Sequence, residues 1–428
     1  MKHLTFGVEF EFCVACVVDP QKPPPGPSEK GKVFFEHTED LRNEFFQKYG
    51  GEKPELEIDE DSNEGDEEDE RKNDEREVAP RRIITENDLK RGSADTIFNM
   101  FMAEFGIYRH ITKTLNDNGY LAWNECGGGH SPFGPHWTVT NDLSVKGPEA
   151  TPYTWFQIEV ISPKLDYTPE SIETVKEVAD LLAATYKTYN DHTSGLHIHI
   201  GREHDGFPFP VIRDLNQFLW AFEPQLDTLH PLCRRNAQFG QAMRDASNLA
   251  IRHFKAFGQW PTVSEGLASI SKAKVSLAVL NLTRHHRHPK IGVYNQDGLI
   301  QLAEGSRGYY KPTIEFRQHI GTLDSKAVAV WLKTVAGIVN FIRGVDPLSF
   351  HELISITEQE EWQKLGDGLN DERQSAMGPI LAENGFTAID LLEKIGLQES
   401  ANYYRNRLIR HPRIISDSTP PVYLFKGE

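Results

Sequence analysis

The 428 residues predict an α+β protein built on an antiparallel sheet, on three observations. Strand-like segments alternate with long stretches of helical spacing. Four of those strands carry two polar residues flanking one apolar residue, so each has an apolar face for a core and a polar face opposite it. No internal repeat recurs at a fixed period, which leaves layered α+β packing rather than a solenoid.

The elements follow in order. Leu4 to Val18 is rich in β-branched and aromatic residues and predicts a strand. Proline then crowds Asp19 to Ser28, and Gly50 to about Val78 reads as a disordered or solvated insertion. Ser93 to Asn118 has helical spacing of Ile97, Phe98, Phe101, Phe105, Ile107 and Ile111. Trp137 to Val145 and Tyr153 to Ile161 predict strands. Thr168 is an N-cap with Pro169 in the first turn of a helix whose apolar face runs from Ile172 to Tyr186. Ser194 to Gly201 alternates as a strand, and a helix spans about Val211 to Leu229. Tyr310 to Arg317 is another strand, and Ser325 to Ile342 a clear amphipathic helix. Residues 1–345 are expected to form one catalytic domain, with a mostly helical extension over 346–428.

Charge and cysteine usage narrow the function. The formal net charge is −17, which argues against a nucleic-acid groove or an anionic membrane as the main partner. Glu52 to Glu77 holds fifteen acidic and four basic residues, a net of −11, which leaves −6 for the rest. The N-terminus runs straight into a strand pattern with no signal-type cleavage site, and four cysteines are too few for a disulfide scaffold. A cytoplasmic protein is expected. Cys13 and Cys16 are three apart on a strand and face opposite ways, which speaks against a redox or zinc pair. Cys13 shares parity with Glu9 and Glu11 and would edge their face unless a bulge intervenes.

The chemistry sits in Glu9-Phe10-Glu11, Gln157-Ile158-Glu159, His197-Ile198-His199 and Glu315-Phe316-Arg317. Taken singly, each has an ordinary account: a solvated strand face, a polar histidine pair, an intrastrand ion pair. Taken together they point to a cleft. Two carboxylates two residues apart on a strand are about 7 Å apart. Their repulsion at an effective dielectric near 20 is about 2 kcal/mol, which a bound cation offsets. Hard carboxylate oxygens suit Mg²⁺ or Mn²⁺, and Arg317 offers a bidentate fork for phosphate or carboxylate. No Walker loop is present. Gly127-Gly128-Gly129 reads as a mobile turn, and the basic run from Arg284 to His288 as a solvated loop.

The strings Gly7-Val8-Glu9-Phe10-Glu11, Gly195-Leu196-His197-Ile198-His199-Ile200-Gly201 and Thr313-Ile314-Glu315-Phe316-Arg317-Gln318-His319 resemble the signatures of the amidoligase family. That family belongs to the glutamine synthetase-like carboxylate–amine ligase superfamily. Trp137, Asp142, Ser144, Ser162-Pro163 and Asn281 support the resemblance, which covers roughly Leu4 to Ile342. It implies a curved antiparallel sheet with helices on its outer face. It also implies an ATP-dependent ligase that joins a small-molecule or peptide carboxylate to an amine through an acyl phosphate. By the same resemblance Glu9, Glu11, Glu159, Glu315 and His197 would hold Mg²⁺ or Mn²⁺. His197, His199, Arg317 and Arg234 would contact the nucleotide, and Arg317, Glu315 and His197 would serve catalysis. Two other functions fit the same residues: a metal-dependent amide hydrolase, and a silent binding protein of the same fold.

Overall fold

The computed structural model describes residues 3–17, 34–35, 94–124, 134–149, 151, 153–203, 205–235, 240–306, 310–367 and 386–410. The proline-rich stretch, the acidic insertion and the triglycine turn lie outside these residues. In chain order the elements used below are β1 (Thr5–Val17), α1 (Ala94–Asp117), β2 (Ala122–Asn124), β3 (Trp137–Thr140), β4 (Thr154–Ile161), α2 (Pro169–Thr185), β5 (Gly195–Gly201) and α3 (Phe209–Asp227). They continue with α4 (Met243–Ala246), β6 (Tyr294–Asn295), α5 (Asp297–Glu304), β7 (Thr313–Ile320), α6 (Ser325–Gly344), α7 (Ala388–Lys394) and α8 (Gln398–Arg410). Helices and mostly antiparallel strands are mixed, as the sequence predicts.

Contacts divide the chain into two units. The first comprises Met1–Phe10, Lys164–Asp180 and Asn190–Glu428; the second comprises Glu11–Pro163 and Leu181–Tyr189. β1 and α2 each run from one unit into the other.

In the first unit the opening half of β1 pairs antiparallel with β5, from Thr5 opposite Gly201 to Phe10 opposite Leu196. β5 pairs antiparallel with β7, and β7 with the short β6. Alternation then sorts the side chains. Val8, Phe10, Leu196, Ile198, Ile200, Ile314 and Phe316 are all buried, on the face opposite the charged residues. α6 covers this apolar face through Trp331, whose ring meets Phe316 edge-on at 6.4 Å. Asp324 starts α6 by accepting from the amides of Lys326 and Ala327, which fixes two of the orphan donors at its N-terminus. Among the described helices α6 alone is long and apolar enough to cross a membrane, yet two thirds of it is buried inside the protein, as in a core helix.

The helices from residue 386 onward belong to this unit. Thr387 and Asp390 form a capping box at the start of α7. Gly337 on α6 admits Leu397, because a Cβ there would lie 2.4 Å from the leucine side chain. Thr334 Oγ1 donates to Ser400 Oγ at 2.9 Å beside it. On α3, Phe222 packs against Phe386 with centroids 6.1 Å apart.

The second unit pairs β3 antiparallel with β4 and β2 parallel with β3. α1 buries Ile107, Ile111 and Leu115. Two expected strands have different limits. The strand from Trp137 stops at Thr140, because Asp142 turns the chain by accepting the Ser144 amide at 2.7 Å. β7 starts at Thr313 rather than Tyr310, since Pro312 has no amide for the ladder. Cys13 and Cys16 are both buried on β1.

One buried pair is unusual. Glu223 and Asp227 lie one turn apart on α3 and both are buried. Burial, and then the charge of Asp227, push the Glu223 carboxyl up to about 8. This holds even though the Met243 and Arg244 amides donate to it at 2.6 and 2.8 Å at the start of α4. A folded carboxyl that keeps its proton to about pH 8 binds more protons than the unfolded one, whose ordinary value is 4.5. Stability should therefore fall as pH rises from about 5 to 8, by at most about 1.4 kcal/mol per pH unit. Glu223→Gln cannot titrate, so its unfolding midpoint should lose that slope. Thermal melts of both proteins at pH 5.5 and 8 check this, and parallel slopes would contradict it.

Candidate active site

Three strands of the first unit deliver the charged residues. β1 presents Glu9, β5 presents His197 and His199, and β7 presents Glu315 and Arg317. The register places Glu9 directly opposite His197 and Glu315 directly opposite His199. Each of the five is nearly buried, none more than 8% exposed. Charges so far from water must be paired.

The pairing is dense. His199 Nε2 lies 2.9 Å from Glu9 Oε1, and His197 Nδ1 lies 3.3 Å from Glu9 Oε2. His197 Nδ1 is also 3.4 Å from Glu315 Oε1, and His199 Nε2 is 4.0 Å from Glu315 Oε2. Arg317 Nη1 donates to Glu315 Oε1 and stands 3.3 Å from His197 Nδ1. Asn295, beside Glu315 on β6, donates to Glu315 Oε2 at 2.8 Å. Lys311 Nζ donates to Glu9 Oε1 at 2.9 Å.

These neighbours set the carboxyl groups. Burial alone would raise the pKa of Glu9. The charges of His199 and Lys311, with hydrogen bonds from both histidines, outweigh it and hold Glu9 well below the usual carboxylate range. Burial opposes ionisation of Glu315 in the same way, yet the Arg317 guanidinium and then His199 bring it down to about 2. Both are carboxylates at neutral pH.

Glu9, His199 and Glu315 each offer a ligand atom, and these atoms lie within 4.8 Å of one another. Octahedral Mg²⁺ with bonds of about 2.1 Å spaces adjacent ligands about 3 Å apart and opposite ones about 4.2 Å apart. A small closure of these side chains would therefore suit it. Two carboxylates and one imidazole form a hard donor set, matching Mg²⁺ or Mn²⁺ better than a soft metal. Thr313 Oγ1 lies 2.9 Å from His199 Nδ1, the second partner that fixes ring orientation in a ligating histidine.

The other sequence candidates lie as follows. His197 stands among Glu9, Glu315 and Arg317, while His199 is the histidine of the three-ligand group. Glu11 and Glu159 belong to the second unit. Glu11 is buried on β1, and Glu159 is half-buried opposite Thr140. Arg234 is buried and spends its guanidinium on the main chain. Nη1 donates to the carbonyls of His192 and Ser194 at 3.1 and 3.2 Å, and Nη2 to that of Arg317 at 2.8 Å. The basic run is no solvated loop throughout. His285 is buried, with its Nε2 3.0 Å from Gln241 Oε1, and its Nδ1 accepts the amides of Arg287 and His288.

Three contributors escaped the sequence reading: Lys311, Asn295 and the orienting role of Thr313. Lys311 and Thr313 flank or begin the string that marks β7, so their nearness to Glu315 was a usable signal. Asn295 sits in a two-residue strand, too short for any pattern.

Over residues 2–339 the chain matches the family described as "Putative amidoligase enzyme", and it belongs to that family. No curated protein and no solved structure matches the chain.

The geometry of Arg234 makes a stability prediction. Lysine keeps the charge but cannot span three carbonyls with a planar fork. Arg234→Lys should cost roughly 2–4 kcal/mol, from hydrogen bonds to a charged group and the carbonyls left bare. Denaturant unfolding measures it. An unchanged midpoint combined with weaker nucleotide binding would instead make Arg234 a ligand contact.

Proposed function

We propose that this member of the amidoligase family is an ATP-dependent carboxylate–amine ligase using Mg²⁺ or Mn²⁺, with a sheet of the glutamine synthetase kind and a cytoplasmic location. The observation that carries the reading is the buried Glu9–His199–Glu315 group with Arg317 donating to one of its carboxylates. The carboxylates and imidazole would hold a divalent ion, whose charge would offset that of the polyphosphate. Among the carboxylates that the family resemblance implicates, Glu9 and Glu315 are the two that support the reading within one unit.

The reaction balances without a covalent enzyme intermediate. A carboxylate oxygen of the acid attacks the γ-phosphorus of ATP, and the bond to the ADP oxygen breaks. The amine nitrogen then attacks the acyl carbon, the bond to phosphate breaks, and the amine gives up a proton. The chain's own part is positioning and electrostatics. Arg317, oriented by Glu315, would hold the oxygens of the phosphoryl group in transfer. His197 stands between both carboxylates and Arg317, from where it would contact the same phosphates. Glu315 would serve two ends, positioning Arg317 through its Nη1 and helping to hold the ion. A guanidinium placed among ligand carboxylates favours an anionic reactant over the water-activating role of an amide hydrolase.

Metal occupancy should be visible without knowing the substrate. Mn²⁺ should raise the thermal midpoint of the wild type, more so with an ATP analogue, and Glu9→Gln should abolish most of that gain. An equal response in both proteins would exclude Glu9 from the site.

The ligase itself is tested by screening acids and amines for ADP and phosphate release coupled to amide. Once a pair is found, Arg317→Lys should raise the barrier by about 2 kcal/mol, on the order of thirtyfold in turnover, with much less change in nucleotide affinity. Wild-type turnover in that variant would reduce Arg317 to a structural partner of Glu315. Amide hydrolysis by wild type without ATP would replace the ligase by a hydrolase.

A further inference from the structure

We propose that Lys311 is a built-in counter-ion of the metal site. Its ammonium neutralises Glu9 in the metal-free protein, leaves that carboxylate when a divalent ion enters, and then pairs with a phosphate of the bound nucleotide. The inference rests on the reading of the site as a metal–nucleotide centre and adds to it a residue with two alternative partners.

The first argument is position. Lys311 Nζ lies 2.9 Å from Glu9 Oε1, the same oxygen that His199 Nε2 approaches at 2.9 Å. The ammonium is therefore bound to a carboxylate of the three-ligand group. A cation coordinated by that oxygen would have Nζ as its immediate neighbour, and like charges at that separation repel strongly in a buried setting.

Charge balance gives the second. Within this unit the carboxylates Glu9 and Glu315 face two cations, Arg317 and Lys311. Counting these four groups alone, the charges cancel before any metal arrives. Adding a divalent ion leaves an excess of two positive charges unless a polyanion enters with it. A nucleotide phosphate supplies that anion, and an ammonium released from Glu9 is the natural donor to it.

The third is that Lys311, not Arg317, is built to move. The Arg317 side chain is 10% exposed and is tied to Glu315 and His197. That of Lys311 is 32% exposed and reaches Glu9 through its terminal ammonium. Its four-carbon stem swings the charge about a flexible axis. The base of that stem, by contrast, is fixed. Thr313 N donates to the Lys311 carbonyl at 2.7 Å. Gly298 on α5 packs so closely that a Cβ there would lie 1.7 Å from the same carbonyl oxygen. A mobile head on an anchored backbone can exchange one anion for another without any strand moving.

Calorimetric titration of full-length protein with Mn²⁺, with and without a non-hydrolysable ATP analogue, tests the exchange. Without nucleotide, Lys311→Gln should bind Mn²⁺ at least about fivefold more tightly than wild type, because the competing ammonium is gone. With Mn²⁺ saturating, the same variant should bind the analogue at least about fivefold more weakly, because the phosphate has lost its partner. Lys311→Arg, which keeps the charge, should stay near wild type for Mn²⁺ and confirms that charge rather than shape is responsible. Mn²⁺ affinity in Lys311→Gln that is unchanged or weaker, in protein with a normal melting profile, overturns the inference while leaving the metal site intact. Failure of wild type to bind Mn²⁺ under either condition overturns the metal reading and the inference with it. Should Lys311→Gln fold poorly, Lys311→Arg still decides the matter. A large change in its Mn²⁺ affinity would show that the ammonium is not a simple electrostatic competitor.

Discussion

The site depends on the register of β5 between β1 and β7. Side chains alternate along a strand, so a slip of one residue would turn His197 and His199 toward α6 and press Leu196, Ile198 and Ile200 against the carboxylates. The register is held from the apolar side, where Ile198 and Phe316 are wholly buried and Phe316 meets Trp331. It is held from the polar side as well, because Glu9 and Glu315 find their imidazole partners only in this alignment. Hydrophobic packing and charge compensation thus select the same pairing, and that agreement across levels is how a sequence specifies one structure.

A second constraint acts within β7. Its pairing with β5 slips by one residue between Phe316 and His319. Strict alternation along the strand would put Glu315, Arg317 and His319 on one face. The bulge instead leaves Glu315 and Arg317 at the site and turns His319 to join Gln318 on the helix side. Gln318 Nε2 donates to Asp227 Oδ1 at 2.9 Å and lies 3.1 Å from the Tyr294 hydroxyl. His319 meets His230 edge-on and Trp331 at a tilt, and burial followed by the charge of Arg407 brings its imidazole down to about 3. The main chain at the bulge is pinned on both sides: the Arg317 amide donates to Val293 O at 3.0 Å, and the Arg317 carbonyl accepts from Arg234. The guanidinium at the site is thereby aimed by a backbone that side chains on α3, β6 and the Arg234 turn hold in place.

Much of this was legible in the residues, and the reasons are specific. The four polar pairs at spacing two all fall on strands, each with the apolar residue between them buried, because the period of two holds wherever no bulge intervenes. Thr168 before Pro169 marked a helix start, and its Oγ1 does accept the Ser171 amide at 3.2 Å. What stayed hidden depends on long-range or local exceptions. The bulge in β7 has no signature in Glu-Phe-Arg-Gln-His. Arg234 read as a ligand contact because an arginine near a motif is chemically apt for phosphate, and only the fold reveals three carbonyls within its reach. The partner of Glu9 that sequence could not supply, Lys311, is 302 positions away in the chain. That His199 rather than His197 completes the three-ligand group shows only in the folded site, where both imidazoles stand near both carboxylates.

The same reasoning explains why strands rather than loops carry the charged groups. A metal–phosphate centre needs its ligands held to a fraction of an ångström, and side chains on a paired strand inherit that precision from the ladder. Precision alone would make a rigid, charge-balanced cluster with little affinity for a further cation. The segment just before β7 supplies the missing freedom. Pro312 ends the ladder there, and Lys311 joins a fixed backbone to a long four-carbon stem. The sheet therefore stores the geometry and the strand's entry stores the adjustable charge. In the proposed site a divalent ion would add positive charge and a nucleotide negative charge, so each would offset the other and their binding should be coupled in both directions by the same free energy.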